Sequence, residues 1–382
     1  MPFLIVCDTL RSEGGSMRKK NIGDVRIKPR NQKKKKIILI TILILLLLAF
    51  LACFFFFYLN KDKNQEKESS LPNQIEEKKL TIVDEDSNRR PIAIMIDNNV
   101  GTANHVGLQD AYITYEAIVE GGLTRIMAVF KDRTTNLIGP VRSSRHYFLD
   151  YALEHDALYA HYGWSTYAER DIKALGVNNI NGLYVDSAYW RDYNYAAPHN
   201  VFTNIETLYQ SAEKLGYKTT SNNWEVLNYS IDPVDLNSYN ACSEEDNTCT
   251  SDVILANNIT IPYSYYETRS YQYDSTRGVY LRFMNGVAHQ DRDTKQQYYY
   301  KNIIIEKVNN YSLDQEGRQD LDTTGTGDGY YITNGYARPI TWHKNNRSGK
   351  TTYTYLDGTE VKINDGNTFI QIAPKQQIPT FE

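Results

Sequence analysis

The sequence predicts an α+β protein: a single N-terminal transmembrane helix, then a mixed α/β domain and a mostly-β C-terminal domain. Three observations support this prediction. An uncharged apolar run covers 37–59, and strand-like and helix-like segments alternate between 90 and 216. Short β-rich segments separated by Gly, Asn or Asp turns fill 251–382.

The apolar run is long enough to cross a membrane. As a helix, its 23 residues would measure about 34 Å, against about 30 Å for the hydrocarbon core of a bilayer. The preceding segment 17–36 holds ten Lys and Arg and one acidic residue. Because basic residues beside a first span stay in the cytoplasm, we expect a basic cytoplasmic arm over 1–36. The later domains are then extracellular on a single-pass membrane protein.

Cys53 indicates a second kind of anchor. Leu51-Ala52-Cys53 resembles the end of a bacterial lipoprotein signal, in which the Cys is lipidated and the chain is cut before it. Phe50 stands where Leu is usual, and apolar residues continue to Tyr58. The pattern favours a retained helix as a signal-anchor, with a lipid anchor as the alternative. Either anchor places the later domains on the outer face of a membrane.

The chain after the span is acidic. It carries 31 basic and 43 acidic residues after position 60, which argues against nucleic-acid binding. Residues 60–89 are polar and nearly free of aromatics, which predicts a flexible stalk. In the irregular linker 217–250, Cys242 and Cys249 bracket a short loop and predict a local disulfide. This linker has no CxxC motif and no neighbouring His, so a zinc site is not predicted there.

Secondary structure can be predicted in order along both domains. Strands are expected at 91–96, 112–119, 124–130 and 157–162. Ser143 or Ser144 is expected to cap a helix to about Glu154, Ser165 to cap one to Leu175, and 203–216 to form a third. The C-terminal strands are expected to form a sandwich or barrel packed on the first domain. The segment GTGDG (325–329) is expected to be a tight turn, because it lacks the Lys and following helix of a nucleotide-binding loop.

Candidate catalytic carboxylates lie at predicted strand ends, where α/β folds place ligands. They are Asp97, Glu116 and Glu120. On one strand, Glu116 and Glu120 would lie about 13 Å apart, which is too far for a glycosidase pair. Either would therefore pair with Asp97 from a neighbouring strand. The alternative is that these carboxylates form structural salt bridges with Arg125 or Arg142.

The segment 139–147 suggests an anion site. Arg142 and Arg145, with Ser143 and Ser144 at a predicted helix start, would bind the carboxylates of peptidoglycan or the phosphates of teichoic acids. The alternative is that a serine caps the helix and the arginines meet Glu116 and Glu120. The remaining ligand-binding candidates are Arg125, His161, Arg191, Asp192, His199 and Asn200.

The motifs of several enzyme classes are absent from the sequence. His161 and His199 match no metal-binding spacing and equally suit hydrogen-bonded core positions, so neither a metal nor a cofactor is predicted. No GxSxG serine motif or phosphate-binding loop occurs. The chain does contain 31 tyrosines, whose rings stack on sugars but are also good strand formers.

Several long segments resemble the YerB-like family of bacterial envelope proteins. They include RPIAIMIDN, GLQDAYITYEAIVEGGLTRIMAVF, IGPVRSSRHYFLDYA and APHNVFTN in the first domain. The second domain contributes YLRFMNG, GTGDGYYITNG, ITWHK and DGNTFIQIAP, so the resemblance covers about 90–380. It implies a two-domain outer-surface protein of Gram-positive type, often a lipoprotein. It implies no settled activity and no catalytic residues.

Two functional hypotheses follow from location and chemistry. The first is a membrane-anchored extracytoplasmic protein that binds or cleaves cell-wall glycan, peptidoglycan or a related polymer. If it is an enzyme, it would be a glycan-cleaving hydrolase or lyase. The alternative is a non-catalytic envelope scaffold or sensor that binds another envelope protein.

Overall fold

A computed structural model describes residues 32–68, 78–99, 101, 104–223, 225–239 and 251–382. Two units are distinguished, one ending at Glu77 and a folded body over Lys78–Glu382. The predicted disulfide of Cys242 and Cys249 lies outside the described residues, and so does most of the predicted cytoplasmic arm.

The predicted apolar helix is confirmed. Helix α1 runs over Gln32–Glu68, and its 21-residue segment Lys36–Phe56 is long and apolar enough to span a membrane. The helix continues beyond residue 59 into the segment predicted as stalk, and it passes through the exposed Cys53 without a break.

The folded body is built on an 11-stranded mixed sheet and a second, six-stranded sheet. The strands of the first half are β1 (Ile92–Ile96), β2 (Ile113–Ile118), β3 (Thr124–Phe130), β4 (Leu158–His161), β5 (Asn179–Asn181), β6 (Trp190–Arg191), β7 (Val201–Phe202) and β8 (Tyr229–Ser230). Those of the second half are β9 (Ile254–Leu255), β10 (Asn258–Pro262), β11 (Thr268–Asp274), β12 (Val279–Met284), β13 (Val287–Ala288), β14 (Tyr299–Tyr300), β15 (Asn302–Val308), β16 (Asn310–Ser312), β17 (Gln319–Leu321), β18 (Gly325–Thr333), β19 (Tyr336–Lys344), β20 (Thr352–Tyr355), β21 (Ile363–Asn364), β22 (Thr368–Pro374) and β23 (Thr380–Phe381).

Both halves of the chain contribute to the large sheet. Its strand order is β20-β19-β18-β15-β22-β2-β3-β1-β4-β5, and β22 of the second half pairs in parallel with β2 of the first. The second half therefore does not form a separate sandwich or barrel. Six of its other strands form the six-stranded sheet β13-β12-β11-β10-β23, with β14 paired to β12, while β16 pairs with β17 and β21 pairs with β8.

The strand directions bring three of the candidate residues to one edge of the large sheet. Strands β1 and β2 both pair antiparallel with β3, and β4 pairs in parallel with β1, so β1, β2 and β4 all end at the same edge. This edge, at which β3 begins, is called the carboxyl edge below. Asp97 follows β1, Glu120 follows β2 in a 3-10 turn, and Arg125 lies at the start of β3.

Two of the three predicted helices begin where expected. Helix α3 (Thr166–Leu175) is capped by Ser165, whose side chain accepts a hydrogen bond from Ala168 N at 3.2 Å. Helix α4 (Ile205–Lys214) lies within 203–216 and is capped by Asn204.

The predicted cap of the first helix was wrong. Helix α2 (Phe148–Glu154) begins after Tyr147 and has no side-chain cap. Segment 141–144 is instead held beside the end of β1, where Arg142 N donates to Met95 O at 2.9 Å. The hydroxyl groups of Ser143 and Ser144 bond Tyr162 O and the Tyr159 hydroxyl, so neither caps α2.

GTGDG is a strand and not the predicted turn, because it forms the first five residues of β18. A Cβ atom at Gly327 would lie 2.5 Å from ring atoms of Trp342, and one at Gly329 would lie 2.0 Å from Ile305 O. The glycines therefore allow neighbouring strands and a Trp side chain to approach closely.

The last residues of the predicted stalk contact the folded body. The backbone N–H groups of Thr81 and Ile82 donate to the Asp365 carboxylate at 2.8 and 2.9 Å. Val83 is buried in the core. The segment from Lys78 onward is thus anchored to the strands near the C-terminus.

Candidate functional site

Polar residues at the carboxyl edge form two layers that differ in exposure. The inner layer, called the buried ion cluster, consists of Glu116, Glu267, Arg269 and Arg282, which are all nearly or fully inaccessible. The outer layer, called the outer cluster, consists of Asp97, Arg142 and His199. The two layers have different chemical properties.

Glu116 is the centre of the buried ion cluster. Its Oε1 accepts a hydrogen bond from Arg269 Nε at 2.6 Å, and its Oε2 accepts one from Arg282 Nη2 at 2.8 Å. Thr124 Oγ1 and Asn98 Nδ2 each donate to Oε1 at 2.7 Å. All the acceptor capacity of this carboxylate is thus used by groups from both halves of the chain.

This environment keeps Glu116 ionised. Burial alone would raise the pKa of its carboxyl, but the charges of Arg269 and Arg282 and the hydrogen bonds outweigh burial and lower the pKa to about 2. Without solvent contact or a proton to donate, Glu116 is suited to holding the two sheets together and is unsuited to acid catalysis.

Glu120 forms a two-point salt bridge with Arg145. The distances are 2.6 Å from Arg145 Nε to Oε1 and 2.7 Å from Nη2 to Oε2. Burial favours a raised pKa, but the hydrogen bond and charge of Arg145 lower the pKa of Glu120 overall. Salt bridges thus occupy both glutamates, although the partners of Glu116 come from the second half of the chain.

The outer cluster is partly open to solvent. Asp97 Oδ2 contacts His199 Nδ1, and Asp97 Oδ1 lies 3.7 Å from Arg142 Nε. The side chain of Asp97 is 7% exposed, whereas those of Arg142 and His199 are 21% and 22% exposed. The aspartate is therefore covered by an arginine and a histidine that reach the surface.

Backbone contacts position the members of the outer cluster. His105 Nε2 bonds Asp97 O at 2.6 Å, and Asn104 Nδ2 donates to His199 O at 2.6 Å. Tyr162 N donates to Arg142 O at 3.0 Å. Three separate loops are thereby held at the end of β1.

Arg125 adds a buried positive charge behind the outer cluster. Its Nη1 donates to Ser143 O at 2.6 Å, while its buried Nε lacks a hydrogen-bond partner within the part of the chain that the structure describes. Burial and the charges of Arg145 and Arg142 lower its pKa to about 9. Three arginines are thus crowded beside the two carboxylates Asp97 and Glu120.

The other predicted ligand-binding residues have structural contacts. His161 is fully buried between Gly163 O and Asn179 Oδ1, and burial lowers its pKa to about 4. His161 is therefore a hydrogen-bonded core histidine, which was the alternative to a ligand-binding role. Two more pairs lie near His199: Arg191 with Asn200 at 2.7 Å, and Asp192 with Arg292 at 3.1 Å.

Aromatic side chains that are partly or largely exposed occur at four positions between 164 and 193. The rings of Trp164 and Tyr184 are 5.6 Å apart, and a Cβ on Gly163 would lie 3.1 Å from Ser143 Oγ. Tyr184 is 73% exposed, Tyr193 87% and Trp190 40%. We call Trp164, Tyr184, Trp190 and Tyr193 the aromatic rim.

A cavity of about 260 Å³ lies beside His105, with His289, Arg292 and Lys295 also in its lining. Larger cavities of about 400 Å³ exist elsewhere, one of them lined by His146 and by carboxylates that Arg347 holds. Within the described ranges, no group of three His, Cys, Asp or Glu is placed to hold a metal ion.

The sequence prediction missed Arg269 and Arg282. Both lie on strands of the second half, whereas all the candidates were taken from 97–200. A signal was present, because Arg282 has Tyr280 and Met284 at i−2 and i+2 and therefore shares their face of β12. An arginine on an otherwise apolar strand face requires a buried acidic partner.

The comparisons with known proteins all identify the same family. The model of the N-terminal domain of a protein of unknown function (DUF3048) matches residues 80–218, and the C-terminal domain model matches 259–370. The Bacillus subtilis (strain 168) protein named "Putative lipoprotein YerB" is 31% identical over 288 residues, covering 75% of this chain and 82% of the relative. The crystal structure of the Bacillus subtilis YerB protein superposes with a TM-score of 0.65 at 27% identity. The superposition covers 76% of this chain and 94% of the chain in that crystal structure.

Proposed function

The chain belongs to the YerB-like DUF3048 family, as a membrane-associated envelope protein, and on this premise we propose that it binds an anionic cell-wall polymer at its outer cluster. The polymer is peptidoglycan or a polymer attached to it. We further propose that the folded body lies outside the cell. The basic segment before α1 supports this orientation, with α1, or a lipid on Cys53, as the anchor.

The weak pairing of Arg142 is the observation that best supports the binding proposal. Its nearest carboxylate oxygen is 3.7 Å away, and its buried Nε has no hydrogen-bond partner among the described residues. Arg145, in contrast, is fully engaged with Glu120. An arginine fork that is partly exposed and weakly paired suits a carboxylate or phosphate ligand.

The local charge balance supports an anionic ligand. Arg125, Arg142 and Arg145 outnumber Asp97 and Glu120, and the charges of Arg145 and Arg142 add to burial in lowering the pKa of Arg125. A bound anion would reduce that repulsion. The arginines are held by backbone contacts before a ligand arrives, so binding requires little ordering.

The aromatic rim supports a sugar-containing polymer. Flat aromatic faces stack on sugar rings, and Tyr184 and Tyr193 present most of their surface to solvent. Trp164 follows Gly163, whose main-chain oxygen accepts a hydrogen bond from Ser144 N at 2.9 Å, so this part of the rim lies close to the Arg142 segment and would contact a sugar whose acidic substituent meets Arg142.

The geometry supports binding rather than cleavage by the glutamates. Glycoside hydrolysis needs a carboxylic acid that is protonated near neutral pH. The pKa of Glu116 is about 2, and the pKa of Glu120 is also lowered. Neither glutamate is therefore proposed as a general acid.

Cosedimentation with purified sacculi tests the proposal. The full-length chain in detergent is expected to sediment with intact sacculi, and salt should weaken this binding because the contact is ionic. Sacculi stripped with hydrofluoric acid, which removes phosphodiester-linked polymers, separate the two anions. Binding to stripped sacculi indicates carboxylates, and its loss indicates phosphates. If the protein sediments with neither preparation, the binding proposal is wrong.

A further inference from the structure

We propose that the outer cluster hydrolyses a phosphodiester in the bound polymer, with His199 as the general base. This inference rests on the proposed function, because it concerns the anion that Arg142 binds. It adds a chemical step and a substrate class. The arrangement of Asp97, His199 and Arg142 supports this step.

Asp97 and His199 form a pair with a defined orientation. The contact from Asp97 uses Nδ1 of the imidazole. Nε2 has no hydrogen bond to any described residue, and the side chain is 22% exposed. When Nδ1 carries the proton and donates a hydrogen bond to the Asp97 carboxylate, Nε2 keeps its lone pair. The imidazole can then accept a proton at Nε2.

Asp97 is a positioning residue in this scheme. It follows directly after the buried strand β1, its main-chain oxygen is bonded by His105, and its side chain is 7% exposed. Asn104 bonds the main-chain oxygen of His199 at 2.6 Å. Both partners of the pair are thus fixed by neighbours that do not reach solvent.

The positive charge in the outer cluster indicates which kind of bond the cluster would cleave. Arg142 and His199 contact the two carboxylate oxygens of Asp97, so a cation and a base meet at one place. A phosphodiester is anionic at its reacting phosphorus group, whereas a glycosidic acetal, an ester or an amide is neutral. An arginine beside the base therefore stabilises the charge that develops during phosphodiester hydrolysis.

The proposed step uses water and needs no further reactant. His199 Nε2 takes a proton from a water molecule as the water oxygen forms a bond to phosphorus. The bond from phosphorus to one ester oxygen breaks, and that oxygen leaves with its electron pair and takes a proton from solvent. His199 then returns its proton to solvent. The products are a phosphomonoester and an alcohol.

A chromogenic diester tests the chemistry directly. The full-length chain in detergent is expected to release 4-nitrophenolate from bis(4-nitrophenyl) phosphate. His199→Gly should be about 10²–10⁴-fold slower, as for the loss of a general base, and added imidazole should restore part of the rate. Asp97→Asn should lower kcat without raising KM, because an asparagine donor favours the other tautomer. The exposed His343→Gln is the matched control and should keep the wild-type rate.

Two further substrates distinguish the sources of the phosphodiester. Poly(glycerol phosphate) represents a wall polymer, and phosphatidylglycerol in mixed micelles represents a lipid headgroup. The phosphomonoester product is measured as inorganic phosphate after alkaline phosphatase is added. Hydrolysis of the polymer supports the inference, whereas hydrolysis of the lipid alone contradicts the wall polymer as substrate. A protein that sediments with sacculi but hydrolyses none of the three compounds overturns this inference and leaves the binding proposal standing. An unchanged rate for His199→Gly overturns the role of His199.

Discussion

A Glu116→Gln variant is expected to lose about 3–5 kcal/mol of unfolding free energy, because it leaves buried charges without their partner. Arg269 and Arg282 are both completely inaccessible and both bond the Glu116 carboxylate. Glutamine keeps the volume of the side chain but supplies no charge and only one acceptor oxygen. The loss is therefore assigned to the ion cluster and not to a cavity.

The effect of Glu116→Gln should depend on pH in a defined direction. The pKa of Glu116 is about 2 in the folded protein and about 4.5 when unfolded. Its contribution is fully present above about pH 4.5 and is lost as the pH falls towards 2. The difference in unfolding free energy between the variant and wild type, measured by urea denaturation, should therefore be largest at neutral pH and shrink in acid. The exposed Glu360→Gln serves as control and should change stability by less than about 0.5 kcal/mol. An equally small effect of Glu116→Gln would show that the cluster is unimportant for folding.

Glu306 should give the opposite pH dependence. It is buried on β15, and its carboxylate accepts hydrogen bonds from Tyr151 at 2.8 Å and Tyr353 at 2.5 Å. Burial raises its pKa, the two hydrogen bonds lower it in part, and the charge of Glu154 raises it, giving a value of about 7. The charge of Lys344, which bonds Glu154 at 2.6 Å, lowers the pKa of Glu306 in part.

The sign follows from the raised pKa of Glu306. Below about pH 4.5, both the folded and the unfolded chain hold the proton. Between about pH 4.5 and 7 the unfolded chain releases it while the folded chain keeps it, so the unfolding free energy falls by up to about 3 kcal/mol. A Glu306→Gln variant does not titrate. Its stability relative to wild type should therefore rise by about 3 kcal/mol between pH 4.5 and 8 in urea denaturation followed by tryptophan fluorescence. A relative stability that stays constant with pH would contradict the buried, protonated state.

Local patterns predicted much of the secondary structure. The apolar run 37–59 is an uninterrupted helix, and Ser165 caps α3 because its spacing to a periodic segment is a short-range signal. The segment 124–130 is a strand over its full length. Such features depend on neighbours within about one helical turn or one strand, which a single sequence shows directly.

Features that depend on distant parts of the chain were not predictable in this way. The pairing of β22 with β2 joins residues more than 250 positions apart, so the shared sheet has no local signature. Segment 141–144 pairs with the end of β1 and therefore leaves no role for Ser143 as a helix cap. The GTGDG glycines face Trp342 and Ile305 of neighbouring strands, which sequence spacing does not indicate.

The candidate site was predicted in composition but not in arrangement. Asp97 was named from the end of a predicted strand, Arg142 from a predicted helix start and His199 as a further polar candidate, and the structure brings these three together. Glu116 was named with them but is fully buried, because its partners Arg269 and Arg282 come from strands of the other half of the chain. Burial of this kind is decided by tertiary pairing.

The most direct test of this account is the affinity of an Arg142→Ala variant for intact sacculi. This variant is expected to bind at least about tenfold more weakly than wild type, as for loss of a charge-assisted contact worth about 1.5–3 kcal/mol. The unfolding midpoint should remain near that of wild type, since Arg142 is partly exposed and only weakly paired. Arg277→Ala, which removes an exposed arginine of the other half that lies over the Tyr299 ring, should bind like wild type. Wild-type affinity in a folded Arg142→Ala variant would contradict the assignment of the outer cluster as the binding site.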